Sequence, residues 1–120
     1  MARTSLSAAL RSDPQMNRLL AALPGEALAR WLPQLERLRM APGQVLLEPG
    51  VSPSHAYFPT TALVALLYVM ENGATSEMAV VGHEGTLGVV LFMGGGAAPS
   101  RAVVQCAGEG FRLPGRFLTA

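Results

Sequence analysis

The sequence predicts a mainly β domain, a sandwich or jelly roll, with short helices before it, and three observations carry that prediction. After Met40 the apolar residues come in short runs separated by glycine and proline, as at Pro42-Gly43, Pro49-Gly50 and Pro53, which is the punctuation of all-β proteins. Glu71-Asn72-Gly73 stands between two apolar runs, and Asn-Gly is the strongest short hairpin signal because both residues tolerate positive φ. Helical periodicity is confined to the first third of the chain.

Residues 1–15 lack periodicity and read as a flexible arm. From Asn17 onward, Leu19, Leu20, Leu23, Ala27, Leu28, Trp31, Leu32, Leu35 and Leu38 recur at three- and four-residue spacing, the mark of an amphipathic helix with its leucines and Trp31 in the core. Pro24-Gly25 divides that pattern into two short helices, and Pro33 can open a further turn. Strands are predicted at Gln44 to Leu47, His55 to Phe58, Leu63 to Val69, Thr75 to Val81, Arg101 to Gln105 and Gly110 to Leu113. Leu63 to Met70 and Ala74 to Val81 should pair antiparallel across Asn72-Gly73. Their near-continuous hydrophobicity predicts burial on both sides or a covering of helices. Gly82 to Met93 enters from glycine into a short apolar segment, a candidate helical turn with free N–H groups suited to an anion, and Gly94-Gly95-Gly96 reads as a mobile loop. Leu113 to Ala120 looks like the opening of an unfinished element, which raises the expectation of a truncated protein.

Composition narrows the function classes. The chain has 120 residues, half of them hydrophobic and only 14% charged, so it is one ordered domain with apolar surface to spare for a partner or a further segment. All nine basic residues are arginine, dispersed along the chain against eight acidic residues. That is no counterion-releasing stripe for nucleic acid. A single cysteine, Cys106, excludes an internal disulfide and any multi-cysteine metal or iron–sulfur site; in its apolar strand it reads as a buried, inert thiol. The first residues lack the apolar core of a secretory signal, and the longest apolar run, Ala62 to Met70, falls well short of the roughly 20 residues of a spanning helix. A cytoplasmic protein is expected.

Catalytic signatures are absent. Gly85-Thr86-Leu87-Gly88-Val89 lacks the serine of a nucleophile elbow, and a chain without lysine has no phosphate-loop lysine. An enzyme is not expected. His55, His83, Glu77 and Glu84 are the candidate metal ligands of a cupin-like barrel, the alternative reading, although no paired-histidine motif supports them. Arg101, opening an apolar strand after Pro99-Ser100, either points into the roll to meet a ligand phosphate or faces water.

Six ordered pieces carry a resemblance. Asn17 to Leu23, Gly43 to Gly50, His55 to Thr60, Glu71-Asn72-Gly73, Val80 to Gly85 and Pro99 to Gln105 together resemble the sensor domain of bacterial Crp/Fnr-type transcription regulators, over about Met16 to Leu118. The resemblance implies a cyclic nucleotide-binding-like β-roll over residues 16–120, ending at the start of a dimerisation helix. A helix-turn-helix, which in the family follows that helix, is not present. It implies a small-molecule effector, a homodimer in a full-length relative and DNA contact only through a C-terminal domain absent here.

The family's phosphate cassette places a glutamate after glycine, then an arginine followed by a small hydroxyl residue. Ligand-binding candidates are therefore Gly85, Thr86, Leu87, Gly88, Val89, Ser100 and Arg101. The cassette glycine is Gly85 or Gly88, and either way the glutamate is missing, since Thr86 or Val89 follows. Serine precedes arginine here, a displacement of one residue that turns a strand side chain to the opposite face. A cyclic nucleotide is one candidate effector, these departures weigh against cyclic AMP, and another effector or none stays open.

Overall fold

The computed structural model describes residues 13–89 and 97–119. Most of the expected N-terminal arm and the Gly94-Gly95-Gly96 loop lie outside them. Asp13 starts the described chain: its Oδ1 accepts from the Gln15 amide and caps a 3-10 turn, Pro14–Met16. Two helices follow, α1 (Arg18–Ala21) and α2 (Gly25–Trp31), separated at Pro24 as the sequence predicts. A second 3-10 turn, Leu32–Gln34, ends the helical region.

Seven strands build two sheets. They are β1 (Glu36–Met40), β2 (Val45–Leu47), β3 (His55–Pro59), β4 (Leu63–Val69), β5 (Thr75–Val81), β6 (Arg101–Cys106) and β7 (Gly108–Pro114). One sheet has the order β1-β7-β3 and the other β2-β6-β4-β5. Every named pair is antiparallel, in keeping with the sandwich or jelly roll that the patterning predicts. A last helical turn, α3 (Arg116–Thr119), closes the described chain.

Three expectations are corrected by packing. Helical spacing predicts helix through Leu35 and Leu38, yet Glu36–Met40 is a strand paired along its whole length with β7. Leu38 and Met40 also fit a period of two, and pairing with β7 decides between the two periods. The β4–β5 hairpin is not covered on both sides: every residue of β5 except the half-buried Val81 is exposed. Cys106 is exposed instead of buried. It ends β6 opposite Leu63, where the β4–β6 register shifts and the inside–outside alternation of the strand is lost.

Two apolar clusters divide the interior. Met40, Leu47, Ala62, Val64, Leu87, Ala98, Ala102 and Val104 fill the roll between the sheets. Leu20, Ala56, Phe58 and Leu113 form the second cluster, with Leu23, Trp31, Leu35, Val89, Phe117 and Leu118 packed against it, so β3 and β7 bury their other faces under the helices. Trp31 is half-buried with its ring centroid 6.2 Å from that of Phe58, whereas Leu19 and Leu32 of the same periodic pattern face solvent. The roll narrows at one corner, where the amides of Thr60, Thr61 and Ala62 all donate to the Glu109 carbonyl. A Cβ at Gly108 would lie 2.5 Å from the Ala62 amide nitrogen, so only glycine lets β7 approach that corner.

The helices are fastened to the roll by a fully buried amide. Asn17 caps α1, its Oδ1 accepting from the Leu19 and Leu20 amides at 3.0 and 3.3 Å. Its Nδ2 donates to the carbonyls of Pro59 and Gly85, both at 2.8 Å. Asn17→Ala should lower unfolding stability by about 2–4 kcal/mol, because it strips partners from two amides and two carbonyls. Asn17→Asp keeps the cap oxygen but aims a second oxygen at the two carbonyls, and urea unfolding should find it no more stable than the alanine variant. An aspartate variant as stable as the parent would show that the two carbonyl bonds contribute nothing.

Candidate functional site

The segment that follows β5 holds most of the predicted ligand-binding residues, and short-range bonds shape its entry. The Gly85 amide donates to the Gly82 carbonyl at 3.1 Å, and the Gly82 amide donates to Glu84 Oε1 at 3.1 Å. Hydrogen bonds from its own backbone amide and that of Gly82 hold the Glu84 carboxyl below its usual range, with smaller help from His83 and Arg18. The Arg18 amide donates to the His83 carbonyl at 2.7 Å, and the Gly85 carbonyl is one of the two held by Asn17. Gly85 is thereby anchored to the helices.

Thr86, Leu87, Gly88 and Val89 then cross from one apolar cluster to the other. Thr86 Oγ1 donates to the Tyr57 carbonyl at 2.8 Å, so this hydroxyl is tied to β3. Leu87 and Tyr57 exchange both backbone bonds at 2.9 Å, which adds Leu87 to the edge of β3. Leu87 is buried in the roll, while Val89 packs against the cluster beneath the helices. Between them Gly88 has φ +89°, and a Cβ there would stand 3.4 Å from the His55 carbonyl oxygen. Of the two candidate cassette glycines, only Gly88 takes a left-handed conformation. Val89 is the residue after it.

Ser100 directly precedes β6, which Arg101 opens. Ser100 is buried. Strand alternation sets Arg101 on the face away from Ala102, which lies in the roll's core; there Arg101 Nε donates to Glu48 Oε1 at 2.5 Å, with both side chains partly exposed. Glu48 also lines a cavity of about 230 Å³, with Val45, Leu46, Leu47, Val51, Ser52, Pro53, Ser54 and Tyr57. Tyr57 joins the two regions, since its backbone holds Thr86 and Leu87 while the residue itself lines the cavity. Burial raises the pKa of its phenol, an effect that Arg112 opposes in part, so the ring meets the cavity as a neutral group.

Glu48, Tyr57 and Asn17 are not among the site residues that the sequence predicts. Asn17 does carry a sequence signal, an N-cap residue directly before an apolar-periodic run. Glu48 and Tyr57 carry none, because their roles come from partners 53 and 29 residues away.

The candidate metal ligands are not brought together. His55 on β3 sits 3.7 Å from Glu36 and 2.7 Å from the Ser54 hydroxyl, whereas His83 faces Glu84 in the turn after β5. Glu77 accepts from Gln105. Among the described residues, no three His, Cys, Asp or Glu side chains gather as a metal site. No helix among them is long and apolar enough to cross a membrane.

No protein-family model matches the sequence, and no curated protein matches it. Solved structures do. The regulatory subunit of a cAMP-independent protein kinase A from Trypanosoma brucei superposes with a TM-score of 0.75 at 16% identity, over 86% of this chain and 38% of that one. The catabolite activator protein of Thermus thermophilus gives a TM-score of 0.67 at 19% identity, over 82% of this chain and 46% of that one. The sensor domain of the transcriptional regulator DNR from Pseudomonas aeruginosa gives 0.72 at 14% identity, over 98% of this chain and 77% of that domain. The chain thus spans less than half the length of the first two. These similarities establish the cyclic nucleotide-binding-like β-roll as its fold.

Two predictions follow from this geometry. Gly88→Ala should cost about 1–2 kcal/mol, from the left-handed conformation together with the nearby His55 carbonyl. Gly85→Ala should cost less, because Gly85 is not in the left-handed region and its Cβ would meet one methyl of Val81 at 3.0 Å and no backbone; equal losses in thermal unfolding would contradict the distinction. The Glu84 carboxylate supports its turn above the ordinary glutamate range and loses that role as pH falls through its lowered value. The Gly82 amide resonance should therefore titrate with a midpoint below that of an unperturbed glutamate, and a midpoint at the ordinary value would refute the bond.

Proposed function

We propose that these 120 residues are the effector-sensing domain of a Crp/Fnr-like bacterial transcription regulator working in the cytoplasm, and that they act by ligand-biased conformation instead of catalysis. The observation that carries the reading is the crossing at Gly88. Leu87 belongs to the roll's core and Val89 to the core beneath the helices, so any ligand that shifts this segment acts on both at once. That is the physical requirement for passing occupancy of a site to elements that do not touch the ligand. Similarity to a transcriptional regulator's sensor domain and to a catabolite activator protein supports the same reading.

The seat is formed by Gly85, Thr86, Leu87, Gly88, Val89, Ser100 and Arg101, beside the cavity under Tyr57. An anionic effector would draw Arg101 from Glu48, since one guanidinium serves either the ligand or the carboxylate at full strength. DNA contact in such a regulator belongs to residues other than these, whose arginines are too dispersed to face a phosphate backbone.

Thermal unfolding with cyclic AMP, cyclic GMP and cyclic di-GMP tests the proposal. A ligand at about 100 times its dissociation constant adds roughly 2.7 kcal/mol to the native state, a shift of several degrees. One of the three should raise the midpoint, Arg101→Ala should abolish the rise, and Glu48→Gln should enlarge it by removing the competing carboxylate. A flat response to all three from a folded chain would overturn the anionic-effector reading.

A further inference from the structure

We propose that His55 and Ser54 form a proton-operated switch in the cavity wall, which reverses the direction of the Ser54 hydroxyl and so decides whether it meets a bound molecule as acceptor or donor. Ser54 lines the cavity, and its Oγ lies 2.7 Å from His55 Nδ1. At that distance one of the two atoms donates to the other. A hydroxyl can do either, so the protonation of Nδ1 sets the direction.

The other side of the ring settles its neutral form. His55 Nε2 stands 3.7 Å from Glu36 Oε1, the same carboxylate oxygen that accepts from Arg112 Nε at 2.8 Å. β1 and β7 thus bring one carboxylate and one guanidinium to this part of β3, while Tyr57, whose ring centroid is 6.5 Å from that of His55, is a neutral phenol. Arg116 of α3 lies over the Phe117 ring, and Glu48, on the same cavity, is paired with Arg101. The Glu36 carboxylate favours the proton on Nε2, which leaves Nδ1 to accept from the Ser54 hydroxyl. Histidine takes up its second proton between about pH 8 and 5. Nδ1 then donates to Ser54 Oγ, and the hydroxyl hydrogen is released for a partner in the cavity or in water.

Backbone bonds hold the pair in place. The Ser54 carbonyl accepts from the Gly115 amide at 2.9 Å, just before α3, and His55 is in register with Pro114 of β7. A proton on the ring therefore changes the direction of a hydrogen bond more than the position of either residue. Apart from Glu48, Ser52, Ser54 and Tyr57, the residues named along the cavity are apolar. With His55 charged, the cavity suits a small apolar molecule that carries a carbonyl. With His55 neutral, the Ser54 oxygen has only lone pairs to offer and a carbonyl loses its donor there.

Nitrogen NMR of the chain's two histidine rings tests the switch, with His83, which faces Glu84, as the internal reference. At about pH 8 the His55 proton should sit on Nε2 with Nδ1 bare. A proton on Nδ1 there would make Ser54 the acceptor at every pH and overturn the proposal. Cyclohexanone, an apolar probe with an acceptor and no donor, should bind several-fold more tightly at about pH 5.5 than at about pH 8, read from the Val45, Val51 and Tyr57 resonances. Ser54→Ala should erase that difference while His55 still titrates, its amide spectrum showing that the variant is folded. Cyclohexanone that does not bind, binds equally at both pH values, or keeps its pH dependence in Ser54→Ala would overturn the proposal. Because no nucleotide is added, the outcome is independent of the effector reading above.

Discussion

A single buried amide decides how the two halves of the structure are joined. Asn17 spends both hydrogens on carbonyls of the roll and its oxygen on the amides that open α1, so one side chain satisfies groups on three segments. Inside a protein such groups have no water to fall back on, and a partner missing from any of them leaves an uncompensated polar atom. The position of α1 is thereby tied to the end of β3 and to the turn before Thr86. The backbone bond from Arg18 to His83 adds a second tie in the same direction.

That fastening gives the Gly85 to Val89 segment its mechanical meaning. It enters bound to the helices, runs beside β3 through Thr86 and Leu87, and leaves into the apolar cluster that the helices cover. A chain that threads two cores cannot shift in one without disturbing the other, because close-packed interiors transmit displacement. Electrostatics acts at the cavity instead. Glu48, which lines it, pairs with Arg101, so the two charges neutralise each other there.

Much of the fold is legible from residue order alone, and the reasons differ by element. Leu63–Val69 and Thr75–Val81 are readable to the residue because a strong turn signal sets both inner ends. Glu36–Met40 escaped because Leu35 and Leu38 continue a helical spacing that Leu38 and Met40 share with a strand. The exposure of β5 and of Cys106 escaped for another reason: hydrophobicity states what a strand could bury and not whether a partner lies over it. At the site, Gly88 was readable as one of two glycines. The sign of its φ, which separates it from Gly85, depends on the crossing between the two cores.

Local chemistry by itself determined the mainly β class, the order of the elements, the hairpin at Asn72-Gly73 and the shortage of charge that leaves apolar surface exposed. Those follow from periodicity, turn preference and composition, which act over a few residues. Tertiary structure decided that Asn17 is the fastener, that Arg101 answers to Glu48, that Val89 serves the helical core and that β5 stands open at an edge. Each of these depends on residues far apart in the chain, brought together by sheet register, and a one-residue shift in register would send the same side chains to the opposite face.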